Sequence, residues 1–159
     1  QRQMCIRDSI FLQTFMDLRM LQIAARAAVR HGIPVSAMMT FTEVGKTMMG
    51  NSVQDFVEGM REFPLTAVGL NCSLGPERAV PVIAAFRQYT DLPLMFKPNA
   101  GKPISQGDGT TVEYTADIFV EDSLPALDAD VTYIGGCCGS DASYIRALRG
   151  RLRRLGYSV

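Results

Sequence analysis

The sequence predicts an α/β fold in which βα units repeat along a parallel sheet. Two observations carry the prediction. From Thr14 onward, short apolar runs bounded by turn residues alternate with segments of helical periodicity. The turns also fall into two populations: His31-Gly32-Ile33-Pro34 and Asp91-Leu92-Pro93 lead briefly from a helix into a strand, whereas the segments after each strand carry Gly, Asn, Cys, Ser and Thr. In parallel α/β folds the chemistry collects at the carboxyl ends of strands, and the unusual residues of this chain sit at those ends.

Taken in order, the first strand is the short apolar run 10–12, followed by an amphipathic helix over 17–30. A second strand, 35–41, leads to a helix over 52–61, for which Ser52 is a suitable N-cap. The third strand, 67–71, precedes a helix over 76–89 whose Val80, Ile83 and Ala84 fall at three- and four-residue steps and so form one buried stripe. The fourth strand, 94–97, is followed by 101–111, which holds three glycines, Pro103 and small polar residues and reads as a mobile loop able to cover a site. A helix over 114–128, a fifth strand at 131–134 and a last helix over 142–155 complete the pattern. Asp141 caps that last helix, and Ile145, Leu148, Leu152 and Leu155 give it a core-facing stripe.

Composition narrows the function. The 159 residues include 16 Lys plus Arg against 16 Asp plus Glu, with a pI near 6.8, so there is no electrostatic footprint for nucleic acid or an anionic membrane. No apolar run approaches the roughly 18 residues of a spanning helix, and the amino terminus lacks the order of a secretory signal, so a cytoplasmic location is expected. The length allows one domain. Four Cys are too sparse for a disulfide scaffold; clustered thiols in a reducing compartment point to metal or redox chemistry.

Gly45-Lys46-Thr47 resembles the end of a phosphate-binding loop, but position 40, where that motif needs its first glycine, is Thr. His31, the only histidine, falls on the side of the sheet away from the chemistry. The stronger signal pairs Asn71-Cys72 after one strand with Gly135-Gly136-Cys137-Cys138-Gly139 after another. Glycines permit positive φ and release adjacent cysteines from the alternation of a strand, so both sulfurs can turn to one point. With Cys72, they would form three corners of a tetrahedron. Zinc suits such a set of soft thiolates, requires sulfurs roughly 3.5 to 4 Å apart, and keeps a fourth position open when the site is catalytic. Three thiolates around a divalent ion sum to a formal charge of about −1, which favours ionising a thiol substrate over making hydroxide. The alternatives at this point are buried apolar cysteines or a vicinal redox pair, and Cys5 is incidental.

With those residues assembled, the sequence resembles the homocysteine S-methyltransferase family, which includes the homocysteine-binding module of cobalamin-dependent methionine synthase and the betaine-dependent enzymes. The resemblance runs through Thr14-Phe15-Met16-Asp17-Leu18, Met39-Thr40-Phe41, the segment from Gly45 to Gly50, Gly69-Leu70-Asn71-Cys72-Ser73-Leu74-Gly75-Pro76, Lys97-Pro98-Asn99-Ala100-Gly101-Lys102-Pro103 and the Gly-Gly-Cys-Cys-Gly at 135–139. It implies a partial (β/α)₈ TIM barrel in which Cys72, Cys137 and Cys138 hold zinc, homocysteine sulfur takes the open position, and methyl transfer yields methionine. Asn99 would lie beside the site, either positioning substrate or serving the turn. The donors used in the family are S-methylmethionine, S-adenosylmethionine, betaine, or a methyl-corrinoid charged from methyltetrahydrofolate, the last implying cobalamin and folate modules on a separate domain or chain.

Two departures matter. The family usually places a Glu before the Thr-Phe pair to hold the substrate ammonium, whereas this chain has Gln13; a neutral amide loses the charge assistance, so weaker homocysteine binding is expected, restored by Gln13→Glu. The chain is also short for a barrel of about 250 residues. Residues 10–159 match the fourth to eighth strands, residues 1–9 read as a foreign or artefactual stretch, and the expected result is a fragment with its metal ligands present, its active site incomplete, and sheet edges and barrel interior exposed. The rival reading is a self-contained five-stranded doubly wound domain with a redox or ligand-binding Cys-Cys pair.

Overall fold

The computed structural model describes residues 8–101, 103–106, 109–112 and 114–159, with 103–106 and 109–112 as backbone only. In chain order the elements are β1 (Ile10–Phe15), α1 (Leu18–Ala28), β2 (Val35–Met39), α2 (Val53–Met60), β3 (Leu65–Asn71), α3 (Pro76–Phe86), β4 (Leu94–Lys97), β5 (Pro103–Gln106), β6 (Gly109–Val112), α4 (Ala116–Ser123), β7 (Val131–Ile134) and α5 (Ala142–Arg154). Ser52 and Asp141 are the N-caps of α2 and α5, as the sequence predicts; Ser52 and Asp55 complete a reciprocal capping box.

Five strands form one parallel sheet in the order β1-β2-β3-β4-β7, and successive helices pack against one another along it. The order follows the chain with no reversal. A doubly wound sheet requires a point where strand order reverses, so that rival architecture is excluded and the arrangement is that of consecutive βα units of a barrel wall. The sheet curls accordingly. Lys97 on β4 reaches Gln13 on β1, with Nζ donating to Oε1 at 3.0 Å, although two strands separate them.

The two faces of the sheet differ because side chains alternate along each strand. The outer face carries the main core, in which Val68, Leu70, Leu94 and Phe96 meet the helices and Phe41, Phe56 and Phe86 pack edge to face. The inner face holds a small separate cluster of Met38, Ala67 and Met95. Met38, Gly69, Met95 and Tyr133 stand in register across four strands as one inner layer, and Asn71 pairs with Lys97 in the layer above. The inner face is only partly covered: Phe11 is 51% exposed and Tyr133 49%, which matches the expectation of an exposed interior.

Three expectations need correction. β1 extends past residue 12 to Phe15 through a bulge, with Thr14 at φ 65°. The helix predicted over 114–128 is α4 followed by a 3₁₀ segment, Leu124–Ala129, because Pro125 has no N–H to continue the α-helical ladder. The segment 101–111, read as a loop, contains the antiparallel ribbon of β5 and β6; its Ile104 and the Thr-Thr-Val run at 110–112 are good strand formers that the glycines obscured. Lys102, Gly107 and Asp108 of that segment, and residues 1–7 of the terminal stretch, lie outside the described residues.

Candidate metal centre

Three loops at the carboxyl ends of adjacent strands build the site. Cys72 follows β3, Asn99 follows β4, and Cys137 and Cys138 follow β7; in the sheet β4 lies between the other two. The strand ladder continues into these loops. Cys72 N–H donates to the Lys97 carbonyl at 3.1 Å, Gly135 N–H to Phe96 at 2.9 Å, Cys137 N–H to Pro98 at 2.8 Å and Ala100 N–H to Cys138 at 2.9 Å. The backbones carrying the cysteines are therefore fixed before any ion is considered.

Left-handed backbone then aims the sulfurs. Cys72 and Ser73 adopt φ 66° and 63°, a conformation that costs a non-glycine residue about 1 kcal/mol or more and recurs at functional sites. Of the glycines flanking Cys137 and Cys138, only Gly139 uses positive φ, at 80°; Gly136 is required for space, since a Cβ there would run into the Ser140 side chain. The glycine freedom expected at the Cys-Cys pair is thus used at Gly139 alone, and the turn at Cys72 is made by non-glycine residues. The outcome is that the Sγ atoms of Cys72, Cys137 and Cys138 all lie within 4.8 Å of one another, with Cys72 and Cys138 at 3.4 Å. The Cys72–Cys138 separation is close to the roughly 3.5 to 4 Å of a tetrahedral zinc thiolate set, and three soft thiols with a fourth position open suit that metal.

The thiols also polarise one another. Burial pushes the Cys72 thiol up, but hydrogen bonds from Cys138, the Ser73 backbone, Cys137 and Asn99 outweigh it and hold Cys72 below the ordinary thiol range. Cys138, which donates to Cys72 and faces its charge, is pushed up to about 11. Bare thiols packed this closely cannot all ionise, whereas a divalent cation removes the repulsion.

Asn71 stands behind the cluster, fully buried, with its side-chain amide engaged at both ends. Its Oδ1 accepts the Thr14 N–H at 2.8 Å, and its Nδ2 donates to Thr14 Oγ1 at 2.7 Å and faces Cys137 Sγ at 3.6 Å. The strained Thr14 bulge is thereby tied to a candidate ligand. Sequence reasoning used Asn71 only as a motif letter; a side-chain amide at the end of a buried strand was the available signal. Asn71→Ala should cost about 2 kcal/mol, because it empties the fully buried space of the Asn71 amide and removes the hydrogen bonds that tie it to Thr14. Denaturant unfolding at constant m-value checks this.

The remaining predicted residues divide. Asn99 is in the site, where its Oδ1 accepts the Cys138 N–H at 3.1 Å and its own N–H donates to the Leu74 carbonyl at 2.8 Å. Gln13 is on the inner face, where its Oε1 accepts from Lys97. The Gly45-Lys46-Thr47 segment forms a turn closed by Thr42 Oγ1 on the Lys46 carbonyl, not a phosphate cradle, and His31 is exposed at the opposite end.

A model of the homocysteine S-methyltransferase family matches residues 6–152. The chain belongs to that family. Among family relatives it is similar to the methionine synthase of Mycobacterium tuberculosis, 29% identical over 147 residues, covering 87% of this chain and 12% of the relative. The methionine synthase of Mycobacterium leprae is 26% identical over 155 residues, covering 92% and 13%. The metallated form of the homocysteine methyltransferase MmuM from Escherichia coli superposes with a TM-score of 0.74 at 21% identity, over 94% of this chain and 46% of that one. The chain thus spans about an eighth of those methionine synthases and about half of the solved homocysteine methyltransferase. No helix among the described residues is long and apolar enough to cross a membrane.

Proposed function

We propose that this chain is the zinc-holding part of an enzyme that transfers a methyl group to the thiol of homocysteine, giving methionine. The single observation that carries the reading is the convergence of three distant sulfurs at the carboxyl ends of β3 and β7. Cys72, Cys137 and Cys138 would hold the ion. When bound, zinc would supply ionisation of the substrate thiol at neutral pH, a step that otherwise costs about 2 kcal/mol for a thiol with a pKa near 8.5.

The chain's own residues supply position. Asn71 fixes the direction of the Cys137 sulfur and the bulge of β1, and Asn99 braces the loops on which Cys72 and Cys138 stand. Gln13 and Asn99 are the proposed substrate-binding side chains, Gln13 toward the amino-acid end of homocysteine and Asn99 toward its sulfur. Holding the thiol still and aligned with the donor's methyl carbon is the larger share of such catalysis. A methyl-corrinoid presented by a cobalamin module is one donor compatible with the similarity to methionine synthases, and the remaining barrel strands would come from sequence outside this chain.

The test is metal content followed by thiol titration. About one zinc per chain is expected, and added homocysteine should release a proton and change the sulfur X-ray absorption. A folded protein that takes up no zinc, or holds zinc yet ignores homocysteine, would overturn the proposal.

A further inference from the structure

We infer that Lys97 selects the substrate: its ammonium holds the carboxylate of the incoming thiol, so that the site takes a short mercapto-carboxylate whether or not it carries an α-ammonium. This deepens the methyl-transfer reading and rests on it.

The top of the inner face carries Gln13 on β1, Thr40 after β2, Asn71 on β3 and Lys97 on β4. Thr40 and Asn71 spend their polar groups inside the protein, Thr40 Oγ1 on the Asn71 carbonyl at 3.1 Å and Asn71 on Thr14. Lys97 alone of these four is charged. Its ammonium has three donors, one of them directed to Gln13 Oε1. Among the described residues the ion pairs are Arg26–Glu62, Arg78–Glu43, Arg87–Asp130 and Arg151–Glu121, so no described carboxylate neutralises it.

Lys97 is also fixed with respect to the sulfurs. Its carbonyl accepts the Cys72 N–H, and its Cγ lies 3.8 Å from where a Gly135 Cβ would stand, so the stem runs along the start of the loop bearing Cys137 and Cys138. The head then reaches Gln13, the neighbour of Thr14, which Asn71 ties back toward Cys137. A thiol whose sulfur joins the cluster brings its far end to this mouth. There a carboxylate meets a cation with free donors. An ammonium meets a neutral amide whose oxygen is already engaged by Lys97, and the like charge of Lys97 beside it. The anionic end of the substrate is therefore the one recognised.

Calorimetric titration of the zinc-loaded chain with three thiols of the same reach tests this: homocysteine, 4-mercaptobutanoate without the ammonium, and 3-mercaptopropylamine without the carboxylate. Removing the ammonium should change Kd less than about threefold, and removing the carboxylate should weaken binding about tenfold or more. Lys97→Met should erase that difference, and Lys97→Arg should keep most of it. The inference is overturned if the amine binds as well as homocysteine, or if Lys97→Met weakens all three thiols alike. The thiol series on the unaltered protein decides the matter even if a variant fails to fold. If none of the three binds, the methyl-transfer reading falls with it; if they bind without discrimination, only the assignment to Lys97 falls.

Discussion

Cys72→Ser is expected to abolish metal retention while leaving the fold in place. A serine hydroxyl stays protonated at neutral pH and is a hard ligand, so the ion loses one of three thiolates and the charge that thiolate supplied. Thiolate zinc sites bind with an apparent free energy of about 10 to 16 kcal/mol; loss of one ligand among three should remove about 4 kcal/mol of it, about a thousandfold in affinity. Cys137→Ser and Cys138→Ser should behave alike, because all three sulfurs share one neighbourhood. Cys5→Ser serves as the control, since Cys5 precedes the segment that matches the family. Zinc per chain after dialysis is the measurement. Retention of near-equal zinc by any of the three site variants would show that its sulfur is not a ligand.

Gly69→Ala is expected to be the most damaging substitution for the fold. Gly69 stands in the inner layer opposite Met95, where a Cβ would fall inside the van der Waals shell of the Met95 carbonyl oxygen and also crowd the Met95 nitrogen. Those atoms are backbone in the neighbouring strand, so no rotamer change relieves the contact; β3 and β4 must separate. The cost should reach about 3 kcal/mol, the upper part of the range for overpacking, and unlike a cavity it cannot be absorbed by collapse. It should also reach the site, because the same strand pair carries the Cys72 N–H bond to the Lys97 carbonyl. Thermal or denaturant unfolding of Gly69→Ala beside a surface control such as Gly156→Ala would measure it, although Gly156 at φ 89° carries its own smaller backbone penalty. A Gly69→Ala protein as stable as the original would mean that the two strands have slack not visible in their register.

Much of this was legible in the sequence. Short apolar runs alternating with segments of helical periodicity marked five parallel strands and their helices, since burial on one or both faces leaves that imprint whatever the partners are. The grouping of Asn, Cys and Gly after strands marked the site, because chemistry in such folds sits where the strands end. The antiparallel ribbon was missed because glycines at 101, 107 and 109 mask strand propensity. The extension of β1 was missed because a bulge breaks alternation at Thr14.

What the sequence by itself determined, then, was the element pattern and the identity of the three cysteines, both being properties of local composition and order. Only the tertiary structure decided that the strands follow one another without reversal, that Cys72 takes a left-handed turn, that Asn71 faces Cys137 and that Lys97 reaches Gln13. Those facts depend on hydrogen bonds between residues far apart in the chain. Such pairings arise from the curvature of the whole sheet, and no short window of sequence contains both partners.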